Sequence, residues 1–142
     1  MLDLYALPGD VPGVDESRGL PPYKRVAAIE SAIANVFNDE RLRPYVQLHE
    51  FEAFVFTAPD TAATRSGTAA VGAMISEAVR RAGGVELVNE GPTTAPSKRI
   101  KSVWPGYVKT IDGPAIAGVV GLEGLRRSCP HFDAWVGWLE GL

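Results

Sequence analysis

The run Tyr45-Val46-Gln47-Leu48-His49-Glu50-Phe51-Glu52-Ala53-Phe54-Val55-Phe56 constrains this chain more than any other stretch. It carries three of the five Phe residues, and eight of its twelve residues are apolar. That density of large apolar side chains calls for burial. Yet His49, Glu50 and Glu52 sit within it, and carboxylates go inside only when paired, hydrogen-bonded or holding a cation. On a strand, Glu50 and Glu52 project from one face while His49 and Phe51 take the other. On a helix, residues two apart point about 200° apart and could not share a ligand. A strand that ends here and breaks into a helix would present both acids at a rim, where α/β folds place their sites. The spacing leaves equally open a strand end whose acids simply reach solvent.

At 142 residues the chain has the length of one domain with a real core. The single Cys129 excludes an intrachain disulfide framework and a multi-cysteine zinc site, and suits a reducing compartment. No apolar stretch approaches the ~20 residues of a membrane span, and Met1-Leu2-Asp3 lacks the positive start of a signal peptide. A cytoplasmic protein is expected, without contact with a membrane. The net charge of −3 argues against coating nucleic acid non-specifically, which needs clustered Lys and Arg. The charge is uneven. From Asp3 to Glu40 there are seven acids and three bases, whereas Lys98 to Lys109 holds four bases and no acid. That local patch could meet a phosphate, although such runs more often mark a solvated helix face.

Leu2 to Leu7 reads as a strand. Pro8 to Pro22, with four Pro and three Gly, reads as a loop. Tyr23 to Asn38 is a helix with Val26, Ile29, Ile33 and Phe37 on its apolar stripe and Glu30 on the flank, able to reach water. After Phe56 a connecting segment leads to a helix from Thr68 to Ala82, stopped by Gly83-Gly84. Val85 to Pro92 is a short element ending in a turn. Pro96 opens a helix that carries Ile100, Val103 and Trp104. Asp112-Gly113-Pro114 caps the next, and a last helix after Cys129-Pro130 places Phe132, Trp135, Val136, Leu139 and Leu142 on one stripe. Two strands are thus followed by helices.

No HExxH, CxxC, GxSxG, Walker or GxGxxG pattern occurs, so zinc, serine-hydrolase and nucleotide chemistry have no motif here. His131, with Asp133 nearby, reads as a local hydrogen bond. What survives is acidic. If the strands bearing Asp3 and Glu50/Glu52 were neighbours in a parallel sheet, their carboxylates would converge on one rim and suit a hard cation such as Mg²⁺. Such a metal could orient and polarise a phosphodiester, and Lys98 at a helix start could add charge to a phosphate.

Several strings carry a resemblance. LHEFEA (Leu48 to Ala53), Asn89-Glu90-Gly91-Pro92, TAPSKR (Thr94 to Arg99), CPHFDAW (Cys129 to Trp135) and the opening Leu2 to Pro8 resemble a bacterial family of unknown function with a Toprim-like fold. The resemblance spans nearly the whole chain. It implies an α/β fold with a small parallel sheet flanked by helices, a helical C-terminal half, and an acidic Mg²⁺ (or Mn²⁺) site used to cleave nucleic acid. It also implies an ATPase partner in phage defence. By position, Asp3, Glu50 and Glu52 match the family's metal acids and Lys98 its SKR lysine, with Glu50, Glu52 and Lys98 as catalytic groups. His49 and Arg99 join Lys98 as substrate-binding residues. Two departures stand out. The chain starts after the family's first strand and its Glu-Gly turn, and the DxD pattern reads Asp3-Leu4-Tyr5. It thus resembles the C-terminal two thirds of such a domain, and an exposed sheet edge there would favour pairing with another copy. The alternative is a non-catalytic module that keeps the fold and docks on a partner protein.

Overall fold

The computed structural model describes residues 2–48, 50–88 and 95–142, and the chain divides into two compact units, Met1–Leu48 and His49–Leu142. In the first, β1 (Leu2–Asp3) and β2 (Val46–Gln47) pair in parallel, Leu2 opposite Val46 and Asp3 opposite Gln47. A short 3-10 helix, Leu4–Ala6, follows β1 directly. Turns then lead to α1 (Pro22–Phe37), which takes Pro22 in its first turn and ends at Asn38 in the left-handed conformation. Gly13, at φ 83°, lies so close to α1 that a Cβ there would stand 2.9 Å from the Ala32 Cβ. Glu30 does not reach for water: its Oε1 accepts a 2.7 Å hydrogen bond from the Val46 N–H and ties α1 to β2. Val26 and Ile29 are buried, but Phe37, expected on the same stripe, is 62% exposed.

The second unit is helical. A 3-10 helix, Phe51–Thr57, precedes α2 (Pro59–Ser66) and α3 (Ala69–Ala82). A 3-10 turn, Val85–Leu87, is followed by α4 (Pro96–Val103), α5 (Lys109–Ser128) and α6 (Pro130–Glu140). The 51–57 helix is the hub, packed against α2, α3, α4 and α5. Phe54 meets Phe51 and Phe132 edge-on, with ring centroids 5.6 and 5.2 Å apart. α5 is broken at Gly121, whose φ of 68° and ψ of 169° only glycine adopts readily.

The expected α/β architecture, a Toprim-like parallel sheet flanked by helices, is therefore corrected. The described residues are mostly helical, and their strand content is one ladder of two residues per strand. The cause lies in the 45–56 run. After Gln47 the chain winds into a helix in which every residue from Glu52 to Phe56 is buried. A helix buried all round has no amphipathic period, so its sequence cannot be told from a buried strand.

The segment after Phe56, expected as a connection, is α2, started by Pro59 and closed by Gly67 in the left-handed conformation. It lies tightly on α3 at Gly72, where a Cβ would meet the Pro59 carbonyl oxygen at 3.0 Å and the Ala63 Cβ at 3.1 Å. Gly72→Val is expected to force the two helices apart and cost about 2 kcal/mol, measured by denaturant unfolding.

Candidate functional site

The acids of the HEFEA run lie at the start of the 51–57 helix, where α4 and the N-terminal turn of α5 reach it. Glu50 precedes that helix and is buried. Its Oε2 accepts a 3.0 Å hydrogen bond from the backbone N–H of Ser97. α4 needs this partner: Ala95 at its N-cap offers no side-chain acceptor and Pro96 no N–H, so Ser97 carries an orphan donor at the positive end of the helix. The LHEFEA and TAPSKR strings thus meet through one carboxylate-to-backbone contact. Lys98, next along, is exposed, and Arg99 is partly buried.

Glu52, in the first turn of the helix, is fully buried. Its Oε2 stands 3.1 Å from Nζ of Lys109, whose side chain is 52% exposed. The contact is an ion pair without hydrogen-bond alignment: both Glu52 oxygens lack a hydrogen-bond partner among the described residues. Burial pushes the Glu52 carboxyl above the usual glutamate range, the neighbouring charge of Glu50 adds to this, and Lys109 opposes it. Tyr107 lies beside them, buried, with its hydroxyl likewise unpartnered among the described residues. Burial first, and then the charges of Glu52, Asp112 and Glu50, push the phenol far up, so it is a neutral hydroxyl at physiological pH. Its ring packs edge-on against Trp104, 5.3 Å between centroids. Gly113 leaves the room it needs, since a Cβ there would stand 2.9 Å from the Tyr107 oxygen.

Asp112 completes the group. Its Oδ2 accepts from the Val108 N–H at 2.7 Å, capping α5, and its Oδ1 accepts from Nε of Arg65 on α2, also at 2.7 Å. The assembly is a desolvated carboxylate beside a neutral hydroxyl, with an ammonium leading out to solvent. Carboxyl groups displaced in this way suit proton transfer.

Of the residues expected to act, Glu50, Glu52, Lys98 and Arg99 all belong to this second unit, whereas Asp3 stands on β1 in the first. His49 and the Asn89-Glu90-Gly91-Pro92 string lie outside the described residues. Among the described residues no three His, Cys, Asp or Glu side chains gather so as to hold a metal ion. Glu50 and Glu52 engage an N–H and an ammonium, and in that arrangement they do not form the oxygen shell a Mg²⁺ ion demands. Tyr107, Arg65 and Lys109's pairing with Glu52 carried no motif. Asp112 read only as a cap, and Lys109 only as the end of a basic run.

A second internal carboxylate repeats the pattern of Glu50. Glu86, buried in the 85–87 turn, accepts from the N–H groups of His131 and Phe132, both at 3.0 Å, at the start of α6. No described helix is long and apolar enough to cross a membrane. No curated protein and no solved structure matches the chain. The family model described as Domain of unknown function (DUF4276) matches residues 1–140, and the chain belongs to that family.

Proposed function

We propose that this protein is a cytoplasmic, nuclease-type protein acting on nucleic acid, working with an ATPase partner in phage defence, and that Glu52 is its working carboxylate. The observation that carries this reading is the fully buried Glu52 carboxylate, 3.1 Å from the Lys109 ammonium, with a buried Tyr107 hydroxyl nearby that has no hydrogen-bond partner among the described residues. Burial raises the proton affinity of this carboxyl above that of an ordinary glutamate, which suits it to the proton transfer that attack on a phosphodiester requires. Lys109 and the exposed Lys98 supply positive charge where a phosphate would approach. Glu50, by holding the first turn of α4, sets the position of Lys98. The motif resemblance supports the same substrate class. The test is incubation of the native protein and Glu52→Gln with single- and double-stranded DNA and RNA, each with and without Mg²⁺ or Mn²⁺. Cleavage by the native protein that disappears in the variant is expected. Intact nucleic acid under every condition, including with the ATPase partner present, would sink the proposal.

A second reading, a non-catalytic module that docks on a partner protein, is favoured by one observation: Glu50 and Glu86 each spend a buried carboxylate on the N-terminus of another helix. Acids used in this way belong to architecture. On that reading, titration with Mg²⁺ or Mn²⁺ leaves the thermal unfolding of the native protein unchanged. A bound cation would instead raise stability by about 2.7 kcal/mol at a hundredfold excess over its dissociation constant.

A further inference from the structure

We infer that Asp112 and Arg65 form a clamp that positions Lys109 on Glu52. The inference deepens the reading above and rests on it for the importance of Glu52. Lys109, the ion-pair partner of Glu52, opens α5, Tyr107 ends the connection before it, and Val108 lies between the two in the chain. The N–H of that residue donates to Oδ2 of Asp112 at 2.7 Å, and with the bonds from the Ile111 and Asp112 N–H groups to the Val108 carbonyl it holds the backbone from which Lys109 leaves. Asp112 is buried and is itself held from α2 by Arg65, Nε to Oδ1 at 2.7 Å. The clamp therefore spans two helices and the connection. Gly113, next in sequence, fits between the Tyr107 hydroxyl and the ring of Phe51, the residue before Glu52. Lys109 has the longest lever. Its side chain is half in solvent, and nothing in an exposed ammonium's own rotamers would hold it at one buried oxygen. The backbone at Val108, fixed by Asp112, sets the point from which that side chain starts. Asp112 and Arg65 are positioning residues, which need no contact with substrate.

A double-mutant cycle on the full chain tests this. Unfolding is measured for the native protein, Glu52→Gln, Lys109→Met and the pair, and then for the same four in an Arg65→Met background. Arg65 is partly exposed, so its removal loosens Asp112 without emptying the core; Asp112→Asn, which keeps one acceptor oxygen, serves as the second background. The Glu52–Lys109 coupling is expected to change the unfolding constant about threefold or more in the native chain and to fall close to one in both backgrounds. A general structural role for Asp112 would lower every stability equally and leave that ratio untouched. A coupling that survives in both backgrounds, or is missing from the native chain, overturns the clamp. The cycle uses no nucleic acid, so its failure is separate from a failure of the nuclease assay.

Discussion

Glu86→Ala is expected to lower stability by about 3 kcal/mol, read from the denaturation midpoint at unchanged slope, and to lower the melting temperature by roughly 10 °C. The size follows from what Glu86 holds. Its two oxygens take the N–H groups of His131 and Phe132 at the start of a helix whose N-cap, Cys129, makes no side-chain cap hydrogen bond and whose Pro130 has no N–H. Alanine takes the carboxylate acceptor from both donors, one buried and one part-buried, at about 1–3 kcal/mol each, and leaves a void where the side chain was. Relief from keeping a carboxylate out of water offsets part of this, which holds the net near the lower sum. Glu86→Gln retains one acceptor but turns an amide N–H₂ toward the other donor, so it recovers only part of the loss. The exposed Glu77, which meets Arg80 and Arg81, is the control, and its replacement by alanine should leave the midpoint in place. A second readout comes from Cys129. Burial, with the Glu86 charge behind it, pushes its thiol up to about 12. The native thiol should therefore react sluggishly at neutral pH, and fraying of α6 in Glu86→Ala should speed its labelling. Labelling and stability both unchanged would show that α6 is held by its aromatic packing alone.

The two buried caps also mark how far the sequence could be read. The helices from Ala69 to Ala82 and from Pro96 to Val103 were legible because they carry local punctuation, a threonine or proline at the start and a Gly-Gly or Pro-Gly stop after the end. The 45–56 run was legible as buried and as the place where acids and core collide. Its conformation was not. Five consecutive buried residues suit a strand and a short enclosed helix equally, and only the packing of α2 to α5 around Phe54 decides between them. α2 was missed because Ala, Thr and Ser give it little apolar stripe, and its cause is close contact with α3 at Gly72. The site divides the same way. Glu50 and Glu52 stood out because a carboxylate in an apolar run must find a partner. Their partners lie 47 and 57 residues away at Ser97 and Lys109, and no spacing rule relates positions so distant. Glu86 sat between the apolar Val85 and Leu87, in a segment whose meaning depends on α6, 45 residues further on.

Lys109→Met should cost about 2 kcal/mol at neutral pH, and the loss should shrink as the pH falls. Removing one partner of a buried ion pair costs about 3–5 kcal/mol when both charges are enclosed. Lys109 is half exposed, so solvent already screens part of the attraction and the smaller figure applies. Glu52 also has an escape: without the ammonium it takes a proton, which limits the penalty. The pH dependence follows from the direction of its shift. Burial holds the folded carboxyl above its ordinary range, so between that range and the raised value the native state binds more protons than the unfolded chain. Stability from this group is complete at acid pH and declines as the pH rises through the folded value. Deleting Lys109 removes the main influence that opposes the shift, so the decline steepens and extends to higher pH. Glu52→Gln abolishes the contribution of this group, and Glu52→Gln with Lys109→Met should regain most of what the lysine variant lost at pH 7. Unfolding by denaturant at half-unit steps from pH 5 to pH 8 in all four proteins reads each of these outcomes. A Lys109→Met curve parallel to the native one would mean that Glu52 draws its compensation from elsewhere, and with it the assignment of Glu52 as the working carboxylate would lose the charge partner on which its chemistry depends.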